Sequence, residues 1–148
     1  MKKTVRVLAL LLLFGAAAML FSGCAKKANL SDIQIGMEKS RVTSLMGSRY
    51  ETKGSPERMI YKNAKFEDLI TPPGETKVVF FINAKEQVYA VCYYIYGAKE
   101  GEYKKALEVL TAKYGSPNET ETDSALWSGE SGSVALTKTD EYVGVTLY

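Results

Sequence analysis

One order of signals is written twice along this chain of 148 residues: an apolar-striped helix, a glycine stop, then short strands ending in a hairpin. That recurrence constrains the fold most, because a unit of about 60 residues buries too little surface alone and two must share a core. In the first unit, Ser31-Asp32 opens a short turn or helix that Gly36 breaks. Val42, Leu45 and Met46 then fall at i, i+3 and i+4, which predicts a helix over 37–46 stopped by Gly47. Strands are expected over 58–61, 76–82 and 87–96, the last two joined by a turn at 83–86 and rich in β-branched and aromatic residues. In the second unit, Tyr103, Ala106, Leu107, Leu110 and Tyr114 predict a helix over 102–114, stopped by Gly115-Ser116-Pro117. Strands follow over 125–127, 133–138 and 142–148. A shift of 68 lays Gly47-Ser48 on Gly115-Ser116. A shift of 54 lays Phe80 on Val134, Ile82 on Leu136, Val91 on Val145 and Tyr94 on Tyr148, with Tyr61 near Trp127.

The expected class is therefore α+β: two helix-plus-antiparallel-strand repeats, over 30–97 and 98–148, forming a two-layer helix-on-sheet domain. Residues 1–23 read as a signal peptide and 24–29 as a tether.

Composition narrows the function. Hydrophobic residues make up 46% and charged residues 24%, which suits a packed domain. The absence of histidine excludes imidazole-based hydrolysis and His-ligated zinc, and two cysteines cannot build a Cys-only zinc site. No phosphate-binding glycine loop is present, Glu119, Glu121 and Asp123 lack calcium-loop spacing and read as a solvated loop, and nothing pairs two carboxylates for glycoside cleavage. The expectation is a non-enzyme with no small-molecule substrate. Lys2, Lys3 and Arg6 are the only charges in the first 23 residues, and the rest holds 16 basic and 17 acidic residues. That balance gives no electrostatic footprint for nucleic acid.

The N-terminus places positive charge first, an apolar run over 7–21 second, and the small residues Ser22 and Gly23 directly before Cys24. The run has 15 residues, short of the ~20 of a transmembrane helix. LFSGC resembles the bacterial lipobox, with Phe21 where that signal usually has an aliphatic residue. The resemblance implies cleavage before Cys24 and a diacylglycerol with acyl chains on it, hence a lipid-anchored, extracytoplasmic protein of the cell membrane or outer membrane. An ordinary secretory signal is the alternative. Two acyl chains anchor durably where one does not, and Lys26 and Lys27 stand where an anionic bilayer would attract them. With Cys24 lipidated, Cys92 has no intrachain partner and reads as a small hydrophobe within VYAVCYYIY.

The string IQIGMEKSRVTSLMG resembles the start of the SmpA/OmlA (BamE-like) lipoprotein domain through Ile35, Gly36, Met37, Val42, Leu45 and Gly47. Glu38 stands where that family usually has a Thr or Ser cap. The tandem arrangement is also similar to the β-lactamase-inhibitor protein (BLIP-like) fold, whose aromatic sheet face grips a partner. These resemblances imply a membrane-anchored, non-catalytic protein-binding or scaffold module of the cell envelope. The alternative they leave open is an extracytoplasmic enzyme inhibitor that binds through the same face.

Strand alternation says where that face lies. Val143, Val145 and Leu147 form the apolar set of the last strand and should meet the helices, leaving Tyr142, Gly144, Thr146 and Tyr148 on the other side. The corresponding outer set of the first unit is expected to be Phe81, Val88, Ala90, Cys92 and Tyr94, with Tyr96 beyond. Phe81, Tyr94, Tyr142 and Tyr148 are the candidate partner-binding residues, since aromatic side chains are enriched at interfaces. Packing under the connection over 65–76, or against the other repeat, is the competing reading. That connection, with Phe66, Leu69 and Ile70 before Pro72-Pro73-Gly74, is either a structural lid or a second binding tip.

Overall fold

The computed structural model describes residues 27–148, so Cys24 and the expected leader lie outside the described residues. A 3-10 turn at Leu30–Asp32 precedes helix α1, Lys39–Met46. Strands β1 (Glu51–Lys53), β2 (Glu57–Lys62), β3 (Thr76–Ile82) and β4 (Val88–Tyr96) follow. Helix α2, Glu100–Tyr114, leads into β5 (Glu119–Glu121), β6 (Ser124–Gly129), β7 (Gly132–Lys138) and β8 (Tyr142–Leu147). All eight strands form one sheet in the order β1-β2-β3-β4-β8-β7-β6-β5, every pairing antiparallel. The class is α+β. Among the described residues no helix is long and apolar enough to cross a membrane.

Alternation sorts the sheet into two faces. Met59, Phe80, Tyr93, Val145, Leu136 and Trp127 represent the inner set on successive strands, and all are buried. Val42 of α1 and Tyr103, Ala106 and Leu110 of α2 join them in one core cluster. The N-terminal segment adds Ala28, Leu30 and Ile33, and the β2–β3 connection adds Phe66 and Leu69. Phe66 meets Tyr93 edge-on at 5.1 Å. That connection is thus a lid on the helix side and does not cover the outer face. Ala28, within the stretch expected as tether, is already buried and forms a β-bridge with Phe66.

Both helices end alike. The Gly47 and Gly115 amides donate to Thr43 and Thr111 carbonyls, each at 2.9 Å, and both glycines hold a positive φ, +95° and +83°, that other residues resist. Their own carbonyls accept from aromatic side chains of the second strand: Tyr61 Oη donates to Gly47 O at 2.9 Å, and Trp127 Nε1 donates to Gly115 O at 2.8 Å. On the other side of α2, Lys138 of β7 reaches Glu100 at 2.5 Å and Asp123 at 2.8 Å, tying the helix to the sheet.

Three local readings change. The first helix starts at Lys39, not at 37, because the Met37 carbonyl accepts from the Val88 amide and Glu38 pairs with Gln87 as a β-bridge. The residues Glu51–Lys53 and Glu119–Glu121 are short strands and close both sheet edges; charge on a short edge strand is the usual protection against stray pairing. Val88 is not on the outer face. The register slips between Phe81 and Ile82, so Phe81 pairs Ala90 while Ile82 pairs Val88, and Val88 is 1% exposed on the core side.

Candidate functional site

The outer face is ordered by cross-strand register. A row runs across the whole sheet through Glu51, Ile60, Val79, Cys92, Thr146, Ala135, Leu126 and Glu119, each residue opposite the next. Its six interior positions are apolar or, at Thr146, a hydroxyl with a methyl; a glutamate stands at each end. Val79 is buried at 6% exposure yet stands apart from the core cluster, shielded by its neighbours on its own face. The helix and connection residues that pack on the sheet all join the inner set, so among the described residues none is seated on the outer row.

Beside the row sits an aromatic cluster. Tyr94 and Tyr142 meet edge-on at 5.1 Å, Tyr96 and Tyr142 at 6.1 Å, and Tyr94 stacks with Tyr96 at 6.3 Å. Gly144 makes this possible, because a Cβ there would lie 3.1 Å from the Tyr142 ring and 3.2 Å from Thr137 Oγ1. The Lys77 ammonium lies over Tyr94 and Tyr96, 5.2 and 5.4 Å from the ring centres. Aromatic pairs of this kind are worth about 0.5–1.5 kcal/mol beyond their buried area, which holds the rings in fixed positions. Burial, followed by Cys92 and the neighbouring phenols, pushes the Tyr94 hydroxyl up to about 12, so it stays a neutral donor at physiological pH.

Two of the four candidate residues, Tyr94 and Tyr142, are thus brought together. Phe81 and Tyr148 lie towards the other end of the strands. Phe81 faces Ala90 and pairs with the bulged Tyr89 at 6.0 Å. Tyr148 is half exposed, at 50%, its backbone exchanging hydrogen bonds with Ser133. Cys92 is half-buried in the middle of the row, accepting from Thr146 Oγ1 at 3.6 Å. The sequence reading missed Lys77, Ile60, Val79, Ala135 and Leu126. Alternation within each strand would have placed them, but the apolar ones are short runs or small side chains that give no signal alone. Tyr89 had no signal at all, because a bulge reverses the alternation.

Charge is divided across this face. The β1–β3 side carries Lys53, Arg58, Lys62 and Lys77 against Glu51, while the β5–β6 side carries Glu119 and Glu121 with hydroxyl residues between. Among the described residues no group of three or more His, Cys, Asp or Glu is placed to hold a metal ion. The arrangement suits contact: a broad, preorganised, mostly apolar surface with opposite charges at its two sides.

No curated protein and no solved structure matches the chain. One family model does, that of the TP0088 domain, and it covers residues 28–147, from Ala28, the first buried residue among those described, to the end of the last strand. With nearly the whole packed chain inside that match, the protein belongs to the TP0088 domain family.

Proposed function

We propose that this protein is a non-catalytic lipoprotein of the cell envelope, anchored through lipid on Cys24, whose outer sheet face docks a membrane-associated protein partner. The observation that carries the docking reading is the uncovered apolar row flanked by the Tyr94–Tyr96–Tyr142 cluster. Eight strands at ~4.8 Å spacing give a face roughly 38 Å wide. At about 20 Å deep it offers on the order of 750 Å², close to the ~800 Å² per partner of a standard interface. Rigid tyrosines suit such a role because they bring large contact area at low entropic cost.

The sheet also supports the duplicated architecture. The order β1-β2-β3-β4-β8-β7-β6-β5 reads the same from either end when each strand is exchanged for its counterpart. The outer row then maps Glu51 on Glu119, Ile60 on Leu126, Val79 on Ala135 and Cys92 on Thr146. The shifts are 68, 66, 56 and 54 residues; β3 therefore matches β7 two residues further along than a uniform hairpin shift of 54 would have it. The Tyr61–Gly47 and Trp127–Gly115 hydrogen bonds are equivalent in the same scheme. This two-repeat, helix-on-sheet reading is what links the chain to a tandem BamE-like or BLIP-like arrangement.

Photo-cross-linking in intact cells tests the function. A cross-linking residue at Ala135 or Tyr148 is expected to give one discrete adduct with a membrane assembly protein, and the same residue at Glu108, exposed on α2, none. Adducts with a soluble hydrolase would replace the scaffold reading with the inhibitor reading. Equal labelling from both faces would refute docking through the sheet.

A further inference from the structure

We infer that a groove beside the start of the packed chain binds the phosphate-bearing headgroups of anionic lipids and so fixes the angle at which the domain sits on its membrane. The inference rests on the lipid-anchor reading of Cys24. The groove has a volume of about 850 Å³ and lies between the end of α1, the end of β2 and the connection that follows β2. Its charged lining is Lys27, Arg49, Lys62 and Lys65 against one carboxylate, Glu67.

The cations are available. Lys65 pairs with Glu67 at 3.4 Å, an exposed pair of the kind that exchanges readily, while Lys62 lines the groove with its ammonium held by Glu51 on the outer face, at 2.6 Å. Lys27 and Arg49 have no ion-pair partner among the described residues. The end of α1 attracts one cation by itself, through its carbonyl dipoles. However, Thr43 O and Gly47 O are already taken by the Gly47 amide and the Tyr61 hydroxyl, and three lysines lie outside that helix.

Position points to lipid. Lys27 is the third residue after Cys24, and three residues span at most about 11 Å. An acylated Cys24 sits at the interface, so the groove lies within headgroup reach. The equivalent groove in the other half of the sheet makes the contrast. It encloses about 580 Å³ around Tyr114, Trp127 and Ser128, and Glu130 is its one charged lining residue. Ser128 occupies the place of Lys62 there, and Pro117, at the position corresponding to Arg49, does not line it. The positive charge is therefore particular to the groove beside the anchor. It does not follow from overall charge either, since residues 24–148 hold 16 basic and 17 acidic groups.

The mature lipidated protein, reconstituted in vesicles of phosphatidylcholine alone or with one-third phosphatidylglycerol, is given a short lysine-acetylation pulse read by mass spectrometry. With phosphatidylglycerol, Lys27 and Lys65 should acetylate at least about fivefold more slowly, the scale expected for one basic residue held at an anionic surface. Lys104 and Lys105, exposed on α2, should be unchanged, and Arg49→Gln should weaken the protection. Equal rates in the two lipid mixtures, uniform slowing of all lysines, or the same protection from inorganic phosphate over phosphatidylcholine would each overturn the inference while leaving the anchor intact. Protein that washes off both vesicle types would refute the anchor reading and the inference with it.

Discussion

Asp68 ties the start of the packed chain to the connection between β2 and β3. Its carboxylate accepts from the Leu30 amide, from the Ser31 amide at 3.0 Å and from the Ser31 hydroxyl at 2.8 Å, with Lys113 of α2 at 3.7 Å. Burial works to raise its pKa, but the hydrogen bonds from Ser31 and Leu30, with Lys113 nearby, outweigh it and hold the group below the usual carboxylate value. A lowered folded-state pKa means the stabilisation is present above the unfolded value, about 3.9, and is lost as pH falls through the folded one. Asp68→Asn should therefore cost about 2 kcal/mol at pH 7, the scale of a few hydrogen bonds to a charged acceptor. The variant and the parent should converge as the pH falls through the lowered folded-state value of Asp68. Urea titrations at the two pH values check this; an undiminished difference in acid would show that the charge is not the cause. No local pattern announces this clamp, because Asp68 and Ser31 are 37 positions apart and neither lies in a periodic segment. Tyr94 and Tyr142 were legible as facing the same way because strand alternation is local, whereas their contact needed the β4–β8 register, which is not.

At the scale of elements, the two helix ends show how much a local signal can carry. Gly47 and Gly115 were readable as stops, since a positive φ favours glycine and each follows an apolar stripe. Their carbonyl partners were not, because Tyr61 and Trp127 reach them from strands 14 and 12 residues on. Tyr61→Phe should cost about 1 kcal/mol, leaving the Gly47 carbonyl short of a partner in a partly buried place. Trp127→Phe should cost more, about 2 kcal/mol, because it loses the same bond and also leaves unfilled space. Midpoints of urea unfolding measure both; a neutral Tyr61→Phe would mean water takes over the bond. The start of α1 and the bulge at Phe81/Ile82 escaped sequence reasoning for a shared reason. Each is set by pairing between distant segments, Met37 with Val88 in one case and β3 with β4 in the other, and not by the propensity of the residues involved.

At the scale of the molecule, β4 and β8 meet at the centre of the sheet, six residues of each in register, with Cys92 opposite Thr146. Under the duplicated reading these two strands are equivalent, so the β4–β8 junction is a pseudo-two-fold contact between halves. The first half alone, residues 27–97, would then lose β8 and expose β4 as a bare edge whose inner residues Tyr93 and Ile95 are wholly buried in the intact chain. The most economical repair is a second copy, whose own β4 can take the place of β8 in the same antiparallel register. Residues 27–97 should therefore form a two-fold dimer, with Cys92 opposite Cys92 and their Cβ atoms roughly 4.5–5.5 Å apart. That separation is near the reach of a disulfide. Light scattering should report twice the fragment mass, and mild oxidation should link the copies through Cys92, with Cys92→Ser abolishing the link and not the dimer. A fragment that folds as a stable monomer, or a dimer that never cross-links at Cys92, would break the equivalence of β4 with β8. It would also remove the reason for treating the outer face as one symmetric platform with a glutamate at either end.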